Sequence, residues 1–209
     1  MTCKEYTIAD GDTVRLYSYV VKSDTGFAPN PFWNYCTVAC CKPKIRKNAD
    51  INDWIVGTGS KHNVGQDKLI YAMKITEKIT FEQYSEDRRF RNKIPHFGLI
   101  EERGDNIYYK NKDGKWMQRR SYHNEKDKDH DLSGFYVLIS DHYFYFGRNA
   151  ISIPNKFKEI IKKGPGHKCN FDDNIVEEFL IWIENDYKTG IHGDPHDFKQ
   201  KLKDIKRSF

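Results

Sequence analysis

No apolar run in the 209 residues approaches the ~20 needed to cross a bilayer as a helix. The opening Met1 to Asp12 also lacks the positive, apolar and small-residue succession of an export signal. The expectation is therefore a cytoplasmic protein with no membrane role. The five cysteines are an odd number without a paired C-x-x-C, so neither a disulfide framework nor a structural zinc is expected and reduced thiols are the default. Charge of one sign is not dominant: 35 basic against 30 acidic side chains leave a net charge of +5, so a nucleic-acid role must come from clustering. There is no internal repeat. GTGSKHNVG, from Gly57 to Gly65, lacks P-loop order because its lysine precedes the final glycine. His192 and His196 are separated by Gly193, Asp194 and Pro195, which break the helix that an H-E-x-x-H pair needs.

Aromatic residues, by contrast, are plentiful, with 13 Tyr, 13 Phe and 4 Trp, and most read as core. The segment YSYVVKSDTGFAPNPFWNYCTVACCKPKIRK, from Tyr17 to Lys47, joins an aromatic turn to a cationic patch. Gly26, Pro29, Asn30 and Pro31 stiffen the turn that displays Phe27, Phe32, Trp33 and Tyr35, and Lys42, Lys44, Arg46 and Lys47 follow. Rings beside fixed positive charge suit a base and its phosphate, while the alternative is a core-capping loop with a solvated basic tail.

TVRLYSYVV, from Thr13, reads as a first strand with imperfect alternation, which suggests burial on both faces. Cys36 to Cys41 is too short to decide between helix and strand. DWIVGTG from Asp53 and LIYAMKIT from Leu69 read as antiparallel partners, and Thr80 to Gln83 as a helix-opening capping box. GDNIYYKNKDGKWMQ reads as a hairpin turning at Asp113 and Gly114. NEKDKDHD, 124–131, reads as an exposed and mobile loop. Strand character returns over 135–147, and helices are expected after Pro154, after Asp172 or Asp173, and from Asp194 and Pro195 with Phe198, Leu202 and Ile205 on one face. That last stripe packs on the core or docks a protein partner. Strands first and helices last argue for one α+β domain over 1–209, mainly β over 13–147 and helical over 154–209. Hairpin-length connections disfavour parallel pairing.

Several residues could carry chemistry. Cys36 or Cys41 with His123, His142 or His167 could form a thiolate pair, although nothing in the sequence brings them together and buried cysteine is usually packing. Ser60 and Lys61 could face an anion from the glycine-rich turn. GPGHK places His167 and Lys168 at another candidate anion site.

FAPNPFWNYCTVACCKPKIRK, DWIVGTGSK with LIYAMKIT, GDNIY, YVLISDHYFYFG and GHK together resemble the second nucleotide-modification-associated domain family over nearly the whole chain. The resemblance implies a base-modification or defence context more than a reaction. A weaker similarity, through INDWIVGTG, LIYAMKIT and SEDRRF, is to PUA-like modules of the EVE and ASCH type, although Asn52 stands where a glycine is common. It implies a curved, mostly antiparallel PUA-like β-barrel with the C-terminal helices packed on it, binding nucleic acid at a modified or flipped base.

Residues and resemblance together place a nucleotide or nucleic-acid pocket among Asn30, Phe32, Trp33, Tyr35, Trp54 and Ser60, rimmed by Lys42, Arg46, Lys61, His123, His167 and Lys168. The expected partners are DNA or a nucleotide with an altered base, and a base-modification enzyme; no cofactor or metal is expected. The alternative is an enzyme on nucleotides or bases, a glycosidic-bond hydrolase or transferase, with Asp141 or Glu102 as carboxylate and His123 or His167 as acid or base.

Overall fold

The computed structural model describes residues 3–9 and 11–197. The chain forms two compact units: one takes the described parts of Met1–Thr25, Asn52–Ile75 and His142–Phe209, the other Gly26–Ile51 and Thr76–Asp141.

In the first unit, seven strands form a mixed sheet in the order His167–Lys168, Leu16–Val20, Trp54–Thr58, Lys68–Lys74, His142–Tyr145 and Gly190–Ile191, with Ile151–Ser152 also on Lys68–Lys74. Trp54–Thr58 and Lys68–Lys74 pair antiparallel, as their sequences predict. Leu16–Val20 and Trp54–Thr58 instead run parallel, from Leu16 opposite Trp54 to Val20 opposite Thr58, and His142–Tyr145 is parallel to Gly190–Ile191. This corrects the expectation of an antiparallel PUA-like barrel. Over thirty residues separate Val20 from Trp54, enough for the crossover that parallel strands require. No sheet among the described residues closes on itself.

Leu16–Val20 is buried on both faces, which explains its weak alternation. Helix Asp173–Asp186 lays Val176, Phe179, Leu180 and Ile183 into a core with Leu16, Trp54, Val56, Ala72 and Phe144. Asn52 takes φ 74°, so it makes the left-handed turn for which glycine is common. After Pro154 the chain forms only the 3-10 helix Asn155–Ile160. The tail stripe Phe198, Leu202 and Ile205 lies outside the described residues. Cys3 and Cys169 form a disulfide, which corrects the reduced-thiol expectation for that pair.

The second unit has a three-stranded antiparallel sheet ordered Cys36–Val38, Tyr136–Ser140, Glu77–Thr80 and a hairpin of Tyr108–Lys110 with Trp116–Gln118. Gly114 turns that hairpin at φ 75°. Thr80 and Gln83 make the reciprocal cap of helix Phe81–Glu86. Phe27, Ala39, Cys40, Phe81, Tyr84, Phe90, Ile107, Tyr108, Val137 and Ile139 form its core. Residues 124–131 are not a loop: Asn124 caps the 3-10 turn Glu125–Asp127, and helix Lys128–Leu132 follows. Composition hid this because the one wholly buried charge in the helix, Asp131, looks like its exposed neighbours.

Candidate functional site

After the strand Cys36–Val38 the chain turns sharply through Cys41 at φ 59° and Lys42 at φ 44°, and Pro43 then opens the short helix Pro43–Asn48. Two successive non-glycine residues in the left-handed region are costly, and such strain concentrates at functional sites. The turn is held from both sides. The Cys41 amide donates to Asp131 Oδ1 at 2.6 Å. The Cys41 carbonyl accepts from Arg46 Nε at 2.7 Å. The same guanidinium donates to the Tyr136 carbonyl at 2.8 Å and to the Asp131 carbonyl, and it stacks 5.2 Å from the Phe81 ring.

This turn brings Cys41 Sγ to 3.4 Å from His123 Nε2, and His123 Nδ1 lies 2.5 Å from Asp131 Oδ2. Tyr108 donates its hydroxyl to the same carboxylate oxygen at 2.8 Å. The result is a thiol, imidazole and carboxylate in series. Because Nδ1 donates to Asp131, Nε2 is the nitrogen presented to sulfur. Phe27 packs 4.9 Å from the imidazole, and the His123 carbonyl accepts from Gln118 and Ser121. Cys41 and His123 are partly exposed while Asp131 is wholly buried, which places the reactive end outward and the orienting end inward.

Burial opposes charge on His123, yet its bonds to Asp131 and Cys41 prevail and raise its pKa to about 10. Burial likewise opposes charge on Asp131, but its partners, His123 foremost, hold the carboxyl below the usual range. Burial, then Asp131 and Asp105, push the Cys40 thiol well up. Cys40, His123 and Asp131 also place donor atoms within 4.8 Å of one another. A metal there would need the Cys40 thiolate that its surroundings disfavour, so the set fits proton transfer better than ligation.

Of the residues expected to form one pocket, those in the second unit have diverse roles. Arg46 is wholly buried and braces the Cys41 turn. Asn30, also buried, donates to the Gly26 and Arg103 carbonyls and accepts from Lys93 at 2.6 Å. Phe32 is buried, whereas Trp33, at φ 59°, and Tyr35 are half-buried. The Lys93 ammonium lies 5.6 Å from the Trp33 ring, and Tyr35 meets Phe90 edge-on at 5.4 Å. Lys42 is half-buried beside Cys41 and Asp141 is exposed. Glu102 keeps Oε2 buried without a hydrogen-bond partner.

In the first unit, Trp54 is core, stacked 6.4 Å from Phe144. The Ser60 amide donates to Asn63 Oδ1 at 2.7 Å, so the turn's own asparagine fills the place expected for an anion. Lys61 is exposed. Lys168 is paired with Glu159 at 3.0 Å, and His167 lies 5.7 Å from the Tyr17 ring. Gly59 is explained by the backbone: a Cβ there would meet the Gly65 carbonyl at 2.0 Å.

Asp131 and Tyr108 were not foreseen from the sequence. The Asn124–Asp127 cap was the available signal that 124–131 is ordered. No curated protein and no solved structure matches the chain. The sequence pattern described as nucleotide modification associated domain 2 matches residues 13–202, nearly the whole chain including the Cys41, His123 and Asp131 positions, and the protein belongs to that family.

Proposed function

We propose that this protein is a thiol-dependent enzyme of nucleotide modification, with Cys41 as nucleophile, His123 as the imidazolium that pairs with its thiolate and then serves as acid, and Asp131 as the group that orients and charges the imidazole. The carrying observation is the continuous series Cys41 Sγ, His123, Asp131 at 3.4 and 2.5 Å within one unit. Such a series suits attack on the carbonyl carbon of an amide or ester carried by a nucleotide or base. His123, charged at neutral pH, already holds the proton on Nε2, and the sulfur bonds to carbon as the thiolate paired with it. The tetrahedral intermediate collapses, the leaving amine or alcohol departs with that proton, and water or a second amine resolves the thioester.

Substrate recognition falls to the aromatic turn. Half-buried Trp33 and Tyr35 offer ring faces to a base, a contact worth about 1–3 kcal/mol per base. This retains the reading of a module that recognises DNA or a nucleotide with a modified base, and adds a reaction to it. The carboxylate alternative through Asp141 or Glu102 has no comparable support, since neither carboxylate is hydrogen-bonded to a histidine.

The test is incubation with a panel of acylated and plain nucleotides and oligonucleotides, with mass spectrometry of substrates and intact protein. A mass change, or a covalent adduct on Cys41, that C41A abolishes is expected. Unchanged masses alongside binding that C41A retains would leave a recognition module and dismiss the enzyme.

A further inference from the structure

The first unit contains a second group of sulfur and nitrogen donors, unconnected with Cys41. Cys3, His167 and Cys169 each place one donor atom within 4.8 Å of the others. The strand His167–Lys168, which pairs with Leu16–Val20, fixes His167 opposite Tyr19 and carries directly into Cys169. His167 and Cys169 are thus set by the sheet and not by a loose loop. Cys3 is brought alongside by contacts that do not depend on its disulfide. The Lys4 amide donates to Asn170 Oδ1 at 2.9 Å, the Tyr6 hydroxyl to the Phe171 carbonyl at 3.1 Å, and the Phe171 amide to the Tyr6 oxygen at 2.6 Å. Opening the Cys3–Cys169 bond would therefore leave both sulfurs near the imidazole. Cys3 also lines a hollow of about 590 Å³ with Lys4, Glu159, Asn170, Phe171 and Asp172.

We propose that the reduced protein binds one zinc ion through Cys3, His167 and Cys169, and that the disulfide is the metal-free, oxidised state of the same site. Two sulfurs and one imidazole nitrogen are a borderline-soft set that zinc favours; with ligand bonds of ~2.0–2.3 Å the two sulfurs, bonded to each other in the disulfide, move apart on reduction to let the ion between them and the imidazole nitrogen. Water takes the fourth position. Glu159 does not compete for it, being paired with Lys168.

A dithiol reductant supplies two electrons and two protons to the disulfide and leaves as its own disulfide. The two cysteine thiols then release two protons as Zn²⁺ binds their thiolates and the neutral imidazole. In the reverse direction, hydrogen peroxide takes two electrons from the thiolates and two protons from solvent. The disulfide closes, two waters form and Zn²⁺ is released.

The experiment uses the full chain, reduced with a dithiol in the presence of zinc, desalted and assayed for metal by mass spectrometry. Cobalt(II) is added to a parallel metal-free reduced sample to record thiolate-to-metal charge transfer. One zinc per chain is expected in the reduced protein and none in the oxidised protein. C3A and H167A should each lose at least tenfold in zinc affinity, while H123A in the other unit retains the metal. Peroxide should release the zinc and close the disulfide together. Two results would overturn the proposal: a reduced protein that retains no zinc, or C3A and H167A that hold as much as the parent. The second variant guards against a folding defect in the first, because His167 is only half-buried and a Cys3 change does not alter its strand.

Discussion

Replacing Asp131 by Asn removes the charge that holds His123 while keeping the shape of the side chain. Asp131 is wholly buried and accepts from His123 at 2.5 Å, from the Cys41 amide at 2.6 Å and from Tyr108 at 2.8 Å. An amide can face these donors with only one oxygen, so at least one donor loses its partner. Removing one member of a buried charged pair costs about 3–5 kcal/mol, and the retained oxygen reduces this to about 3 kcal/mol at neutral pH.

The pH dependence identifies the cause. His123 has its pKa raised from 6.5 to about 10, so its contribution is fully present below about 6.5 and is lost as pH rises through about 10. For a fully buried pair that interval would be worth about 5 kcal/mol. The ring's partial exposure cuts it to about 2 kcal/mol. The His123 contribution to the wild type should therefore fall by about 2 kcal/mol between pH 6.5 and 10, read as the difference in slope from D131N, which should lack most of it. The penalty for D131N then shrinks to about 1 kcal/mol above pH 10, where the wild-type imidazole is neutral as well. Asp131 itself, held low, adds a loss only in acid. Urea denaturation across pH measures stability, and the His123 ring proton in NMR measures its titration directly. A wild-type His123 that titrates near 6.5, or one that D131N leaves unmoved, would refute the reasoning.

Gly134 allows Arg46 to brace the Cys41 turn, since a Cβ there would lie 2.5 Å from the guanidinium carbon. G134A should cost about 2 kcal/mol in urea denaturation, and a loss under about 0.5 kcal/mol would show that the guanidinium can move freely. Lys93, wholly buried, has its pKa lowered to about 8 by burial, so it contributes a gain in stability from about pH 8 to 10.5 that opposes the loss from His123. K93M lacks that gain and should therefore show a steeper alkaline fall than the wild type; an unchanged slope would contradict the burial argument. G59A should unfold the protein or cost more than about 3 kcal/mol by calorimetry, whatever ligand is present, because the clash is with backbone.

What the sequence revealed was local. The pairing of Trp54–Thr58 with Lys68–Lys74, the Thr80–Gln83 cap, the turn at Gly114 and the apolar face of Asp173–Asp186 depend on residues close along the chain, where propensity and spacing act. What it concealed was long-range. The parallel ladder of Leu16–Val20 with Trp54–Thr58 depends on a crossover whose destination no short pattern encodes. Cys41 and Asp131 are 90 positions apart, Cys3 and Cys169 are 166, and only folding brings them together. Cys41 with His123 stood among several cysteine and histidine pairings of equal merit. Arg46, legible as part of a cationic patch, is instead wholly buried behind the Cys41 turn.

The most direct measurement is the rate of iodoacetamide alkylation at each free cysteine, mapped by peptide mass spectrometry at neutral pH in wild type and H123A. Cys41, beside an imidazole, should react at least tenfold faster than buried Cys36 and Cys40, and H123A should remove that advantage. A Cys41 no more reactive than its neighbours, or one indifferent to loss of His123, would contradict an activated thiol at this turn.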